Sequence, residues 1–553
     1  MWPGPEGGVQ VADKSSKVIQ QERDDGAHPS TWAPLGSRVF RALFIAQFAS
    51  NIGTWMQIVA AQWFLVESHS SDVVVALVQT ASLGPTLLLG LFAGALADLF
   101  DQRRLLIVLQ SYAVLVALAL AAVTYLGRLS PAMLLAFTVA IGCASALTAP
   151  AWQAIQPEVV ARQQISAAAT LASVSVNVGR ALGPALGGVV VALVGPAAAF
   201  ASNAVSFAGI IVALMKWQRS RQLTPLERER FSQAVVSGLR YVRHGPIFRR
   251  ILLRAALFLF PASALTALLP VAAAQRWETG SSGYGVALGA IGLGAVLAVA
   301  VATPLRRRFS DNVLLAACAV VYGFAPLAAV WLPFVAATPF LILSGTAWLI
   351  TLTTLNAAAQ LSLPRWVRAR ALSIYLLVFT GSQAIGSYVW GLVATRAGLD
   401  VAMTASAILL AAVALSVWPF PLRPATGKVN VFDVSSTLPV PTLMTEPSAN
   451  DGPVLVSVRY EVPAENLNDF VTAMGAVRRS RLRTGGHSWQ LYQRVGEPDT
   501  FIERFTVASW TEFERQRTER WLAYDSQGTA EAIGYTVDKK RRPEYYLAVR
   551  VPR

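Results

Sequence analysis

The sequence predicts an all-α membrane protein of twelve transmembrane helices, built as two six-helix repeats and followed by a small α+β domain. Three observations carry this prediction: the composition, a series of apolar segments and an internal repeat. The chain of 553 residues is 54% hydrophobic and only 14% charged, whereas soluble globular domains are about 25% charged. Such a chain is too apolar for water and suits a lipid bilayer.

Twelve apolar segments of roughly 20 residues lie between residues 38 and 421, and each is long enough to cross a bilayer. The predicted spans are 38–66, 73–97, 104–126, 131–150, 167–194, 197–215, 250–274, 283–304, 312–332, 336–360, 371–395 and 400–420. Residues 1–37 are polar and lack the basic start and apolar core of a signal peptide. We therefore expect a disordered cytoplasmic tail there.

The net charge of +15 is explained by membrane topology rather than by nucleic-acid binding. Basic residues concentrate in every second connection: in the 216–249 loop, at Arg103 and Arg104, and at residues 306–308. The opposite connections carry few, such as Arg276. Lys and Arg mark the cytoplasmic side of a membrane protein. Both termini and the central loop are therefore expected in the cytoplasm, with the bundle in a bacterial inner (plasma) membrane and no nucleic-acid partner.

The two halves of the apolar region repeat each other. Three pairs of positions recur at nearly the same separation, namely Phe40 and Phe248 (248 − 40 = 208), Phe100 and Phe309 (309 − 100 = 209), and Pro157 and Pro364 (364 − 157 = 207). This predicts one bundle over 38–215 and a second over 250–421, joined by the basic loop. Six spans per repeat make the repeats parallel, as in transporters that carry substrate between two such halves.

The segment GALADLFDQRRLL, residues 94–106, places an acid and two bases at the end of the second span. It resembles the signature of the major facilitator superfamily, roughly Gly-x-Leu-Ala-Asp-Arg-x-Gly-Arg-Arg/Lys, at these residues: Gly94, Leu96, Ala97, Asp98, Arg103 and Arg104. The departures are Leu99 for the first Arg, and Asp101 and Gln102 for Gly-Arg. The resemblance implies a charged latch that breaks as the halves rock. The alternative is a charge cluster that only sets topology.

The fifth span contains NVGRALGPALGG, which resembles the antiporter motif of the same superfamily. The matching residues are Gly179, Gly183, Pro184, Gly187 and Gly188, whereas Thr170 stands where a further upstream Gly would fall. Small residues at a spacing of four let helices approach closely. The resemblance implies a tight contact that limits leakage in an exporter. The alternative is ordinary small-residue packing, which we also prefer for GYGVALGAIGLGAV in the eighth span.

Polar groups inside the spans are candidates for the substrate cavity, because they are costly in lipid. Arg180 could bind an anionic substrate, pair with a carboxylate, or be structural. Arg254 lies near a span end and is expected to extend its charge to water. The full set of cavity candidates is Gln47, Asn51, Trp55, Asn177, Arg180, Asn356 and Gln383.

No Asp, Glu or His lies in the middle of a predicted span. The resemblance implies a proton as the coupling ion, yet the sequence offers only Asp98 and Glu67 as weak candidates for its carrier. No metal-ligand cluster, cofactor motif or catalytic set is present in the pattern. The expected partners are therefore a small-molecule substrate, the lipid bilayer and a coupling ion.

After a Pro-, Ser- and Thr-rich linker at 422–452, residues 453–553 alternate as β-α-β-β-α-β, a ferredoxin-like order. This tail resembles the dimeric α/β barrel of small antibiotic-biosynthesis monooxygenases. Together with NIGTWMQ in the first span and SWTEFERQR in the tail, it resembles the transmembrane secretion-effector branch that includes enterobactin exporters. The single His of the tail, His487, argues against catalysis. The resemblance allows a homodimer through this domain or a ligand sensor.

The predicted function is a secondary transporter that exports small organic molecules by alternating access. The resemblance implies a siderophore-like, drug-like or other secondary metabolite as substrate. Two alternatives remain: an importer of such molecules, and a transporter whose C-terminal domain is an enzyme or a ligand sensor.

Overall fold

The computed structural model describes residues 32–161, 164–217, 231–364, 366–422, 447–448, 451–539 and 543–549. The first half of the bundle comprises α1 Arg38–Glu67, α2 Asp72–Leu99, α3 Gln102–Tyr125, α4 Pro131–Val159, α5 Ile165–Val194 and α6 Pro196–Lys216. A shorter helix follows, α7 Phe231–His244. The second half comprises α8 Pro246–Gln275, α9 Gly280–Arg308, α10 Asp311–Trp331, α11 Phe334–Leu361, α12 Arg368–Ala397 and α13 Leu399–Leu415. Each of the twelve predicted spans corresponds to a helix.

Ten of the helices within the described residues are long and apolar enough to cross a membrane. The two bundle helices outside that set are α1 and α13. Helix α13 is only 17 residues long, and α1 carries four amide side chains along its 30 residues. Both still pack within the bundle, α1 against α5 and α6, and α13 against α10. The polarity of α1 suits a helix that faces a cavity rather than lipid.

Consecutive helices run in opposite directions, so the bundle has two distinct ends. We call one the basic end, because Arg103, Arg104, residues 306–308 and α7 all lie there. The opposite end is called the far end. It holds the ends of α1 and α5, the starts of α2 and α9, and an ion pair between Arg276 and Asp400.

The internal repeat is also visible in how the last helix of each half is fastened to the rest of its bundle. Helices α1 and α8 start 208 residues apart (246 − 38), and α3 and α10 start 209 apart (311 − 102). Asp101 and Ser310 are the N-caps of α3 and α10. Two residues later, Arg103 donates to the last carbonyls of α6, and Asn312 exchanges two hydrogen bonds with Leu422 beyond α13. Different side chains thus hydrogen-bond the end of the last helix at the equivalent position in each repeat.

The expectation that Arg254 extends to water is wrong. Its side chain is buried, and the guanidinium donates to the carbonyls of Ser416 and Phe420 at 2.6 to 3.0 Å and to Ser416 Oγ at 2.9 Å. The last carbonyls of a helix have no partner within the helix and carry partial negative charge. Arg254 therefore caps the end of α13 from α8, which compensates for its lost hydration.

The C-terminal region forms the predicted ferredoxin-like fold. Its elements are β1 Val454–Glu461, α14 Leu467–Thr484, β2 Gly486–Arg494, β3 Glu497–Val507, α15 Trp510–Arg515, α16 Ala523–Gly534 and β4 Pro543–Leu547. The sheet order is β2-β3-β1-β4, with every neighbouring pair antiparallel. We call this region the tail domain.

The core of the tail domain follows the predicted alternation in most places. The face of β1 predicted to be buried is buried, at Val454, Val456, Val458 and Tyr460. On α14, Phe470 and Met474 are buried, but Val471 is half exposed, because it lies one position off the face that meets the sheet. The hairpin turn falls at residues 495–496, earlier than the predicted 496–499, and α7 was not predicted within the 216–249 loop.

A buried ion pair crosses the tail-domain core. Arg481 of α14 and Glu503 of β3 are both fully buried, with Nε 3.1 Å from Oε1. Trp489 Nε1 donates to the same oxygen at 2.9 Å, and Tyr460 donates to Oε2 at 2.8 Å. The carboxylate therefore accepts three hydrogen bonds, which offsets its loss of water.

We expect Glu503→Gln to destabilise the tail domain by about 3 to 5 kcal/mol, because it leaves the Arg481 charge buried without its partner. The urea midpoint for proteolysis of the tail in the purified full-length protein measures this. The matched control is Glu497→Gln, whose half-exposed pairs with Arg459 and Arg494 contribute about 1 kcal/mol or less. Equal midpoints for the two variants would contradict the assigned role of Glu503.

Candidate functional site

A cavity of about 470 Å³ lies inside the first half of the bundle. Uncharged polar side chains of α1, α3 and α4 supply much of its lining: Gln47, Asn51, Gln110, Thr148, Gln153 and Gln156. Among the described lining residues none is charged. Such a surface can exchange hydrogen bonds with a polar organic molecule without the desolvation cost of a fixed charge.

A second cavity of about 450 Å³ lies between the two halves. It shares Thr54, Ser145 and Gln153 with the first cavity, and its other wall is α12, through residues such as Ser373 and Thr380. The two spaces adjoin and lie on the basic side of the bundle. The walls therefore belong to both halves, as a site that is exposed by relative motion of the halves requires.

A hydrogen-bond chain fixes the cavity face of α1. Gln47 Nε2 donates to Asn51 Oδ1 at 3.2 Å, and Asn51 Nδ2 donates to Ser175 Oγ of α5 at 2.8 Å. Further along α1, Gln57 accepts from Asn203 of α6 at 2.5 Å. Gln47 and Asn51 thus line the first cavity.

The five residues of the antiporter-like motif are all buried where α5 meets its neighbours. A Cβ atom on Gly183 would lie 2.6 Å from Trp55 Cβ, and one on Gly187 would lie 2.8 Å from Met56 Cα, both in α1. A Cβ on Gly188 would lie 2.5 Å from the carbonyl oxygen of Ser281 in α9. The motif therefore packs α5 on α1 within the first half and on α9 across the two halves.

The far end of the bundle is closed around this contact. Gly188 and Gly285 of α9 pack backbone to backbone. Tyr284, buried beside them, donates to Gln62 of α1 at 2.5 Å, and Ser281 donates to the Gly188 carbonyl at 3.3 Å. Helices of both halves are therefore joined beyond the inner end of the cavities.

A second contact closes the far end on the other side of the bundle, between α2 and α12. The amide of Val73 donates to Thr395 Oγ1 at 2.9 Å, and Thr80 donates to the Ala384 carbonyl at 2.8 Å. A Cβ on Gly391 would lie 2.9 Å from Val73 Cα. Both pairs of contacting helices, α5 with α9 and α2 with α12, thus meet at the far end.

Arg180 lies beside Trp55 near the middle of α5. Its Cζ is 5.5 Å from the centre of the Trp55 ring, a distance at which a guanidinium is attracted to an aromatic face. Its Nε is buried and has no hydrogen-bond partner within the described part of the chain. The structure thus brings together two predicted cavity candidates that the sequence placed on different helices.

The remaining cavity candidates lie elsewhere. Asn177 donates to the Ser173 carbonyl of its own helix. Asn356 is exposed near the basic end of α11 and accepts from Gln360, and Gln383 is buried in α12 with a 3.5 Å contact to the Phe379 carbonyl. The described linings of the two cavities include neither these three residues nor Trp55 and Arg180.

The proposed latch is described only in part. Gly94 and Asp98 are in α2, but their side-chain surroundings lie outside the described residues. Arg103 donates to the carbonyls of Leu214 and Met215 at 2.8 and 2.9 Å, and Arg104 is exposed. Arg103 therefore caps α6 as well as lying in the latch signature.

Sequence reasoning missed Gln110 and the polar residues at the end of α4. The predicted fourth span ended at residue 150, whereas α4 continues to Val159, so Gln153 and Gln156 were assigned to a loop. The sequence did offer one indication of Gln110, because it is an amide side chain inside a long apolar segment.

The tail domain touches the basic end of the second half. Arg240 of α7 is 3.1 Å from the His487 ring nitrogen of β2. Arg520, held by both oxygens of Glu512, has its Cζ 5.0 Å from the centre of the Trp366 ring, between α11 and α12. The start of α12 also contacts α7, where a Cβ on Gly238 would lie 3.1 Å from Arg370 Cβ.

The family profile described as "Transmembrane secretion effector" matches residues 29–541. The chain belongs to this family of major facilitator transporters. The match includes most of the tail domain as well as the membrane bundle. The protein is thus a multi-pass membrane transporter.

Two curated relatives of this transporter are named for siderophores. The staphyloferrin A transporter of Staphylococcus aureus is 24% identical over 359 residues, which cover 64% of this chain and 89% of the relative. The enterobactin exporter EntS of Citrobacter koseri is 25% identical over 379 residues, which cover 66% of this chain and 86% of the relative.

Solved transporters share the fold. A variant of the nucleoside transporter NupG aligns with a TM-score of 0.59 and 12% identity, covering 69% of this chain and all (100%) of that chain. A bacterial homologue of the human lysosomal transporter Spinster, inward-facing and occupied, aligns with a TM-score of 0.58 and 16% identity, covering 71% and 99%. At these identities the likeness shows the major facilitator fold alone.

We expect Gly188→Leu to keep the far end from closing, because even its Cβ would overlap the Ser281 carbonyl. A cysteine introduced at the buried position Ala287, with Cys143 and Cys318 replaced by Ser, reports this by its reaction with a membrane-impermeant maleimide. Labelling from the far side should rise roughly tenfold, as a shift of about 1.4 kcal/mol would produce.

The control for this experiment is Gly209→Leu in α6, where an added Cβ meets nothing within 4 Å. It should leave labelling unchanged. Unchanged labelling in Gly188→Leu as well would show that the α5–α9 contact does not seal the far end.

Proposed function

We propose that this transporter exports small, polar organic molecules of the siderophore or secondary-metabolite type from the cytoplasm by alternating access. The observation that carries the proposal is the pair of adjoining cavities, lined by uncharged polar groups and walled by both halves, on the basic side of a bundle whose far end is closed. The family description and the enterobactin exporters among the relatives favour export.

The basic end is assigned to the cytoplasm in this proposal. Lys and Arg are retained on the cytoplasmic side during membrane insertion, and the described basic end holds Arg103, Arg104 and residues 306–308. The cavities then adjoin the cytoplasm, and the conformation is inward-facing. An exporter would load its substrate in this state.

Alternating access would require the far-end contacts to separate while the basic end closes. Packed glycines suit such a contact, because two backbones that meet without intervening side chains can part without repacking. The latch residues Asp98 and Arg104 are proposed to close the basic end in the opposite state. A proton is proposed as the coupling ion, by resemblance to related antiporters.

We expect deletion of the gene to trap a compound in the cell pellet and remove it from the medium, and the intact gene to restore it. Mass spectrometry of pellet and spent medium, in iron-rich and iron-poor culture, measures this. A compound left in the medium of the deletion strain would instead indicate an importer. No compound displaced in either direction would contradict a transport role under these conditions.

We expect Asn51→Leu to lower export roughly tenfold or more, because it removes cavity hydrogen bonds and leaves the Ser175 hydroxyl without its partner. The control is Asn356→Leu, the same change at an exposed amide outside both cavity linings, which should retain export within about twofold. Equal export by the two variants would remove the first cavity from the transport path.

The tail domain is proposed to act as a regulatory module that adjusts α12. Its contacts reach Trp366 and α7, and α7 in turn packs on the start of the helix that walls the second cavity. Dimerisation through the tail remains a further proposal from the resemblance to dimeric α/β barrels. A tail enzyme is the weaker alternative, since the described part of the domain holds no metal-binding cluster and one His.

Docking of the tail should weaken in acid. Burial and the nearby Arg240 lower the pKa of His487, against the attraction of Glu512. A histidine whose pKa is lowered by docking favours the docked state while neutral, so docking is strongest above the ordinary value of about 6.5 and is lost as the pH falls below it. Burial and Arg243 lower the pKa of His244 in the same sense.

We therefore expect faster hydrogen exchange in β2 and α7 at pH 5.5 than at pH 7.5, after correction for the intrinsic rate. His487→Gln keeps a hydrogen-bonding side chain without a titratable ring and should reduce this dependence, whereas His69→Gln at the far end should not. An undiminished pH dependence in His487→Gln would rule out this histidine as its source.

A further inference from the structure

Arg180 occupies the inner side of α5, facing the axis between the two halves. Gly179, one residue earlier, packs on α1, and Ala181, one residue later, packs on α9. Leu182 and Leu186 point the other way, and each leaves about half its surface exposed (49% and 48%) on the lipid side. Because successive helical residues point about 100° apart, Arg180 emerges in the gap between α1 and α9.

The same face of α5 lines the first cavity nearer the basic end. Ser173 and Val176 are lining residues, and Arg180 follows them one to two turns further along. On α1, Trp55 directly follows the lining residue Thr54. Arg180 and Trp55 therefore stand together just beyond the described lining of the first cavity, near the middle of α5 and α1, although neither is itself a lining residue.

The charge of Arg180 is poorly compensated by the protein. Its Nε has no partner within the described residues. Its described neighbours are the Trp55 ring and the buried Tyr322 of α10, which is near enough to interact with it electrostatically but offers no carboxylate. The carboxylates of the bundle helices all lie within two residues of helix ends, as Glu67, Asp72 and Asp400 illustrate. Arg180 as a whole is only partly buried, whereas the buried Arg254 of α8 is held by several carbonyls. A cation in the middle of a spanning helix without such partners is costly and is by default a candidate functional group.

We propose that Arg180 binds an oxyanion of the transported molecule, a carboxylate or phenolate, while Trp55 packs on the flat part that carries it. The substrate is then an organic anion. This inference rests on the proposed transport function and narrows its substrate class. A guanidinium presents donors that match such an oxyanion, and the membrane potential, negative inside, favours outward movement of an anion.

The matched probes are 1-naphthoate and its uncharged amide, 1-naphthamide, titrated into the purified full-length protein in lipid nanodiscs at neutral pH. Calorimetry measures both affinities. We expect the wild type to bind naphthoate roughly tenfold to a hundredfold more tightly than naphthamide, the range for a hydrogen bond to a charged group. Wild-type protein that binds neither probe, or both equally, overturns the proposal.

The variant Arg180→Gln should lose this preference while its affinity for naphthamide stays the same, which also shows that it is folded. Arg180→Lys should keep part of the preference, because it retains the charge without the planar fork. Trp55→Leu should lower the affinity for both probes to the same extent. A preference for naphthoate that survives in Arg180→Gln overturns the assignment.

The export experiment separates this inference from the function on which it rests. If the trapped compound is a neutral molecule or a cation, and Arg180→Gln exports it as well as the wild type, the transport function stands and the anion assignment fails. If no compound is displaced in the deletion strain, the transport proposal fails, whereas the naphthoate preference still reports on Arg180 by itself.

Discussion

The close approach of α5 to α1 and α9 is the contact on which the described conformation depends. At Gly183, Gly187 and Gly188 the neighbouring helix lies where a Cβ atom would be. That proximity places Trp55 next to Arg180, brings Tyr284 within hydrogen-bond distance of Gln62, and joins the halves beyond the cavities. A lipid bilayer provides no hydrophobic driving force for helix association. Contacts between spanning helices therefore depend on van der Waals packing and a few hydrogen bonds. Small residues here set how closely the helices approach.

Four arginines described above differ in how the protein compensates their charge. Arg103 and Arg254 lie at the basic end. Arg103 donates to the last carbonyls of α6 and Arg254 to carbonyls at and just beyond the end of α13, so the charge of each meets the partial negative charge at a helix C-terminus. Arg481 in the tail pairs with Glu503 through Nε, while its two terminal nitrogens are buried without a partner among the described residues. Arg180 alone among these four lies at mid-helix, away from any helix end. This position, without a carbonyl or carboxylate partner among the described residues, is what motivates the proposal that Arg180 binds an oxyanion.

Much of the fold was predictable because apolar segment length and basic-residue bias are direct consequences of the bilayer. Twelve spans, their order and the ferredoxin-like tail follow from those patterns and from strand alternation. The end of α4 was not predictable, because a polar stretch that contains Gln153 and Gln156 is typical of a loop unless a cavity is known to face it. Helix α7 was missed for a related reason: its residues are polar enough for a loop and are ordered by contact with α12 and the tail.

Individual residues of the candidate site were predictable only where the spacing of polar residues along a single helix places them on one face. Gln47 and Asn51 share a face of α1 by spacing alone, and both line the cavity. The pairing of Trp55 with Arg180, and the approach of Gly188 to Ser281, depend on how α5 is placed between two helices distant in sequence. Local periodicity holds no information on that placement. The motif glycines nevertheless pointed to it, because a stripe of residues without side chains has a use only where another backbone comes close.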